Sequence, residues 1–364
     1  MAGNGGKQDA GDEFFSKRLA AITRQDGWPL AVGGVYMRLL FLTDDHKRGT
    51  TPANRKDNFP ATLAAKLREV AAIAREREVD YILHGGDFYD VPAPAISVCS
   101  DFLEIYQQFP APVYIIAGNH DLFGNNEETL PRTMLGLAAR VGIVRMIGRA
   151  PVYLTKGDLR LQLTGQGYHF EMDRRDPRED YVVQKRDCDY AIHMVHGMLL
   201  DRASFPGPFY TLVEQIWETE ADFTLAGHNH LGFPDAERDG KRFLNPGALA
   251  RLSNHPLEMR RPVQVIYIDL GGSRPTYEKI GLRSAPPGED VLDRSMQEEA
   301  SFREERLAGY LAEIKAAGSY KRADVRLLVE EIARSEQLEP RIRSEALRRV
   351  GLAEEALARG EDES

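Results

Sequence analysis

The chain predicts an α/β fold: two sheets packed face to face with helices outside, followed by a helical C-terminal appendage. Two observations carry this expectation. Buried-strand patterns alternate with helical spacing up to about residue 150, and after that strands follow one another with little helix between them. Short polar clusters come directly at the ends of strands, where open α/β sheets place their sites.

Residues 1–36 read as an N-terminal extension. Gly, Asn, Gln and Asp dominate its first stretch, a composition that buries too little apolar surface to fold alone, although residues 14–22 have the spacing of a short helix. The core, residues 37–283, opens with Met37-Arg38-Leu39-Leu40-Phe41-Leu42-Thr43, a buried strand that runs into Asp44-Asp45-His46. Residues 61–78 carry apolar side chains at helical spacing. Tyr81-Ile82-Leu83 is a strand leading into Gly85-Gly86-Asp87, residues 96–109 are helical, and residues 112–116 are a strand leading into Gly118-Asn119-His120-Asp121. Residues 152–154, 160–164, 190–195, 223–225 and 263–268 supply the later strands, and the fourth and fifth clusters are His196-Gly197 and Gly227-His228-Asn229-His230. From residue 284 to 364 strands stop. Leu307, Tyr310, Leu311 and Ile314, then Val325, Leu328, Val329 and Ile332, then Leu347, Val350 and Leu357 follow helical spacing, with Gly318 and Pro340 as breaks. Such stripes suit packing on the core or docking on a partner.

At 364 residues the chain has room for one sizeable core and an appendage. It contains no apolar run near the roughly 18–20 residues of a bilayer span, and its start lacks the pattern of a secretory signal. With Cys99 and Cys188 alone, a disulfide framework is not expected, which points to a reducing, cytoplasmic setting. The net charge of −9 runs against a stand-alone nucleic-acid binder, unless bound metals or a basic partner offset it. There is no Gly-x-x-x-x-Gly-Lys-Ser/Thr loop, so an ATP-driven step would belong to another chain.

The clusters are rich in hard and borderline metal ligands, and no Cys takes part. Asp44 and His46, at i and i+2 on an extended strand end, would point the same way, with Asp45 turned away. Asp87 follows two glycines that let backbone approach an ion, and its two oxygens suit it to bridge two cations, with Asp90 in support. Asn119 offers a neutral oxygen, His120 would face substrate, and Asp121 would accept a proton from the imidazole and hold it in place. His196 is the expected ligand at the end of its strand, while His193 reads as a packed core residue. His228 and His230, again at i and i+2, complete the set. Two metals held side by side are the standard apparatus for hydrolysing a phosphate ester.

These motifs, in this order, resemble those of the calcineurin-like metallophosphoesterases over residues 37–282. The resemblance implies a two-sheet αββα sandwich with a binuclear centre, Mn²⁺ in its nuclease members. Asp44, His46, Asp87 and His230 would hold one ion; Asp87, Asn119, His196 and His228 would hold the other; His120 would be the proton donor, paired with Asp121. The stretches His84-Gly85-Gly86-Asp87-Phe88-Tyr89-Asp90 and Asn245-Pro246-Gly247-Ala248-Leu249-Ala250-Arg251 are similar to those of SbcD-type DNA repair nuclease subunits and their phage relatives. In that family a helical segment docks on an SMC-like ATPase, SbcC. The partners implied are therefore DNA and such an ATPase, reached through the C-terminal helices, with a homodimer also allowed.

The expected reaction is direct attack on phosphorus by a hydroxide bridging two metals, with His120 protonating the leaving oxygen. A small-molecule or cyclic-nucleotide phosphoesterase is the alternative, since the metal set reads only phosphate; the acidic balance favours it. A non-catalytic scaffold is the third reading, and the completeness of the ligand set stands against it. Gly165-Gln166-Gly167-Tyr168-His169 reads as a polar loop, or else as a wall of the substrate groove. Arg174, Arg175 and Arg178 read as a solvated face, and Trp28 and Trp217 as packing residues.

Overall fold

A computed structural model describes residues 35–203, 209–271, 274–295, 329–330, 332–334 and 336–358. The expected helix at 14–22, Trp28, and the stripes at 307–314 and 325–328 lie outside these residues. The chain divides into two compact units, Met1–Arg294 and Ser295–Ser364. The first runs past residue 283 because Val291 and Leu292 are buried and the Lys56 N–H donates to the Val291 carbonyl.

Strand β1 (Met37–Leu42) shows why the sandwich forms. Its side chains alternate between two cores: Met37, Leu39 and Phe41 face the second sheet, while Leu40 and Leu42 face helices. β2 (Tyr81–His84), β3 (Val113–Ile115) and β4 (Arg145–Met146) extend this sheet in parallel. The second sheet contains β5 (Val152–Lys156), β6 (Leu159–Gln166) and β7 (Tyr190–Gly197). The short pair β8 (Leu199–Leu200) and β9 (Thr211–Leu212) stands apart, and β10 (Phe223–His228), β11 (Ala236–Arg238) and β12 (Lys241–Leu244) complete the second sheet. β13 (Gln264–Leu270) and β14 (Thr276–Gly281) return to the first sheet, β13 antiparallel to β1. The strand orders are β14-β13-β1-β2-β3-β4 and β11-β12-β10-β7-β6-β5. Between them lies a core built from Phe41, Leu83, Ile116, Leu163, Met194 and Leu225 among others.

Helices α1 (Phe59–Glu76) and α2 (Ile96–Gln107) cover the outer face of the first sheet. Asn58 caps α1, its side chain accepting the Ala61 N–H at 3.2 Å, and Pro60 sits in the first turn, where no N–H is needed. The outer face of the second sheet has thinner cover. Met172, Tyr181, Val213 and Ile216 pack there from loops and single turns, with Trp217 edge-on to Phe243.

One member of the buried stripe of α1 is Lys66. Its Nζ donates to the Leu249 carbonyl at 2.8 Å. Burial, with Arg55, Arg261 and Arg251 nearby, brings its ammonium down to about 7 from 10.5. Below pH 7 it is charged in both the folded and unfolded chain, and the fold bears the full desolvation cost. Between about 7 and 10.5 the unfolded chain binds the proton that the folded chain has lost, so stability rises with pH. Wild type should therefore gain on Lys66→Met, on the order of 1 kcal/mol per pH unit at most, as melting is followed from pH 7 to 9. A melting difference that stays constant over that range would refute the assignment.

In the second unit, helix α3 (Pro340–Ala358) begins at the proline expected to break the pattern, with Glu345 bonded to Arg348 and Arg349. No helix among the described residues is long and apolar enough to cross a membrane.

Candidate metal centre

Three neighbouring strands of the first sheet and two of the second end at one place. The loops that leave them do not stay extended. Asp44 (φ 56°), His46 (φ 48°), Asp87 (φ 52°) and His228 (φ 70°) all have left-handed backbone. Non-glycine residues hold that conformation at a cost of about 1–3 kcal/mol each, and such strain collects at functional sites. Asp44 and His46 therefore converge through two left-handed residues on either side of Asp45, rather than through the strand alternation the sequence suggested. Gly86 (φ 100°) is required: a Cβ there would lie 2.5 Å from His196 Nδ1 and 2.9 Å from the Gly118 nitrogen.

The stretch Asn245–Arg251 staples the first and last of these loops together. The Ala248 N–H donates to the His230 carbonyl, Leu249 to Thr43 and Ala250 to Asp44, at 3.0, 2.9 and 3.2 Å. Those bonds bring residues from the two ends of the core within reach of one ion.

Two donor groups adjoin. In the first, Asp44, His46, Asp87 and His230 place one ligand atom each within 4.8 Å of one another; in the second, Asp87, His196 and His228 do the same. Asp87 belongs to both, its Oδ2 lying 3.4 Å from His46 Nε2 and 3.4 Å from His196 Nε2. His46 Nε2 and His230 Nε2 are 3.0 Å apart. Asn119 Oδ1 lies 3.2 Å from His196 Nε2, which adds it to the second group. Carboxylate, amide and imidazole donors are the set that divalent ions of this kind take. His196 Nδ1 donates to the Gly85 carbonyl at 2.7 Å, which fixes the ring and frees Nε2 for an ion.

The electrostatics fit a cation. Burial pushes the Asp44 carboxyl up, and the neighbouring Asp87 charge adds to it. Burial opposes charge on His196, but Asp87 and Asp44 beside it lift it to about 9; burial and the positive His196 bring His228 down to about 3. A divalent ion held by Asp87 and His196 would take over the work of that proton, and its binding would release protons.

A third group, His46, Asp90 and His120, lies on the first sheet's side of the site. His120 Nδ1 donates to the Asp90 carbonyl at 2.8 Å, and the His46 and His120 ring centroids are 4.6 Å apart. Here one expectation is corrected. The Asp121 carboxylate does not hold the His120 ring. It accepts the backbone N–H groups of Phe88, Tyr89 and Gly118 at 3.1, 3.1 and 2.9 Å. Residues Asn119–Asp121 form a single 3₁₀ turn, which sends Asp121 inward beneath the loop while His120 stays half-buried above it. Asp121 thus ties the Asp87 loop to the His120 turn, and the backbone of Asp90 orients the imidazole.

His193 is buried as expected, between Thr164 (2.8 Å) and the Asp180 carbonyl (2.8 Å), and burial brings it down to about 4. Tyr168 is part of the site's surroundings, its ring 5.5 Å from His228 and 6.3 Å from His196. Sequence reasoning missed the fully buried cluster beneath the site. Asp45 Oδ2 accepts from Lys47 Nζ at 2.6 Å and from the Tyr106 hydroxyl at 2.5 Å, with His84 Nε2 at 3.2 Å. Lys47 Nζ also stands 3.2 Å over the Phe88 ring.

Comparison with known proteins gives consistent relatives. The chain is 28% identical over 216 residues to the DNA double-strand break repair protein Mre11 of Haloferax volcanii, covering 56% of this chain and 42% of that protein. It is 25% identical over 305 residues to the double-strand break repair protein MRE11 of Encephalitozoon cuniculi, covering 74% and 51%. The matches thus span about half the length of these relatives or less. Among solved structures, the calcineurin-like phosphoesterase YfkN of Bacillus subtilis is similar at 12% identity and a TM-score of 0.42, over 68% of this chain and 91% of that one. Residues 37–260 match the calcineurin-like phosphoesterase superfamily domain. That segment is more than half of the chain and carries every donor of the centre, and the protein belongs to this superfamily of phosphoester hydrolases.

Proposed function

We propose that this protein is a metal-dependent DNA nuclease, a phosphodiesterase subunit that works beside an SMC-like ATPase. The observation that carries the hydrolytic reading is the pair of donor groups sharing Asp87. Asp44, His46, Asp87 and His230 would hold one divalent ion, and Asp87, Asn119, His196 and His228 a second. Two such ions, Mn²⁺ by the family resemblance, supply Lewis-acid polarisation of the phosphoryl oxygens and a water of lowered pKa. The chain's own residues do the rest. With Nδ1 bonded to the Asp90 carbonyl, His120 keeps Nε2 for proton delivery to the leaving 3′ oxygen. Asp121 holds the turn that carries it. DNA as substrate is supported by the break-repair relatives and by the Asn245–Arg251 stretch. The ATPase partner rests on the SbcD resemblance, with the C-terminal helices as the docking element.

The test is Mn²⁺-dependent degradation of end-labelled single- and double-stranded DNA beside a chromogenic diester, a chromogenic monoester and cyclic AMP. We expect DNA cleavage that falls about 10²- to 10⁴-fold in His120→Asn, with metal content unchanged. The charge of −9 favours a small substrate instead. Rapid turnover of cyclic AMP or the monoester with DNA untouched would establish that reading and remove ours.

A further inference from the structure

The loop after β6 carries an arrangement that hydrolysis does not use. Phe170 and Phe209 are 58% and 46% exposed, and the two apolar rings lie at one place on the surface. The Arg174 guanidinium carbon lies 4.3 Å from the centroid of each, so the three form a surface stack. Arg174 was expected on a solvated face with its neighbours. Arg175 and Arg178 do pair there with Asp180 and Glu179 and with Asp176 and Glu218, whereas among the described residues Arg174 has no carboxylate within ion-pair distance.

The loop that carries the stack is anchored, and it begins beside the metal centre. Asp173 accepts from the Tyr181 and Thr211 hydroxyls and from the Met198 N–H, at 2.6, 2.7 and 2.7 Å, which pins the Arg174 loop to the segment that brings Phe209. Phe170 follows two residues after Tyr168, whose ring stands against His228. Flat aromatic faces, one positive charge and a neighbouring phosphoester site match the chemistry of a nucleotide strand: bases stack on rings regardless of sequence, while the cation meets the backbone.

We propose that Phe170, Arg174 and Phe209 form a nucleobase-stacking platform, which holds an unpaired strand while its phosphodiester lies at the metal centre. The proposal rests on the nuclease reading and names the form of its substrate. Paired bases are already stacked on their neighbours, so the platform selects single-stranded or frayed ends.

The experiment uses the full chain carrying His120→Asn, to slow cleavage, and fluorescence anisotropy with labelled oligothymidine or an abasic oligomer of equal length. Phe170→Ala and Phe209→Ala each raise the Kd for oligothymidine roughly five- to thirty-fold, in line with the strength of base–aromatic stacking. Binding of the abasic oligomer does not change, and Phe170→Trp restores affinity. In the otherwise native chain Phe170→Ala leaves hydrolysis of the chromogenic diester unaltered. Equal affinity of parent and variants for oligothymidine overturns the proposal, as does an equal loss on the abasic oligomer, or a parent that binds no oligonucleotide. Diester hydrolysis without DNA cleavage removes the nuclease reading alone, and the anisotropy series still decides the platform.

Discussion

Asp87→Asn should reduce phosphodiester hydrolysis to the level of metal-free protein, a larger loss than the about 10²- to 10⁴-fold expected from removing the proton donor. Asp87 is the one carboxylate common to both donor groups. The His196 and His46 charges hold its carboxyl well below the usual range against the effect of burial, so it is an anion throughout the working pH range. Asn keeps the shape and one acceptor oxygen but removes the charge that two cations would share. Elemental analysis after dialysis should show the loss of bound metal in this variant and its retention in His120→Asn. An Asp87→Asn protein with full metal content and more than a few percent of wild-type activity would show that the two groups do not act as one centre.

Asp45→Ala should lower stability by about 3–5 kcal/mol, the usual cost of stranding one member of a buried ion pair. Asp45 and Lys47 are wholly buried and 2.6 Å apart. Burial opposes the Asp45 charge, yet Lys47 keeps its carboxyl far below the usual value; burial brings the Lys47 ammonium down to about 8 even with Asp45 opposing. Without Asp45 the ammonium is left against Phe88 and Tyr106 with, among the described residues, the Phe88 carbonyl at 3.0 Å as its remaining hydrogen-bond partner. Because Asp44 and His46 alternate with this pair along the chain, metal affinity should fall together with the melting temperature. The double variant Asp45→Leu/Lys47→Met removes both charges and should recover much of the lost stability. Thermal melts of wild type, Asp45→Leu, Lys47→Met and the double variant measure the coupling; additivity of the two single changes would mean the pair holds nothing.

Much of this was legible in the sequence. Strands β1, β2, β3, β6, β7, β10 and β13 and helices α1 and α2 stand within a few residues of the expected places, because each is buried on at least one face and its apolar period is clean. The short or edge strands β4, β11, β12 and β14 were not legible, since half-exposed residues such as Arg145, Glu237 and Lys241 leave no such period. The residues that converge could be read because Asp, Asn and His at the ends of buried strands have few structural uses. Two details lay beyond reach. Left-handed backbone at Asp44 and His46 has no compositional mark. The choice between Asp121 and Asp90 as the support of His120 depends on which way one 3₁₀ turn faces. Asp45 and Lys47 were hidden differently: two charged residues read as surface unless their partners, from β2 and α2, are already in view.

The donors Asp44, His46, Asp87 and Asn119 leave one sheet, and His196, His228 and His230 leave the other. Each cation position draws on both. A chain still being made, or one whose halves have not yet met, therefore owns no complete donor set, and the candidate centre assembles only with the finished sandwich. Ions bound at the seam would act as cross-links between the sheets, so a chelator would loosen the molecule as well as silence it. For a hydrolase proposed to work on DNA, that coupling would be a safeguard: the protein would be armed last, and disarmed first.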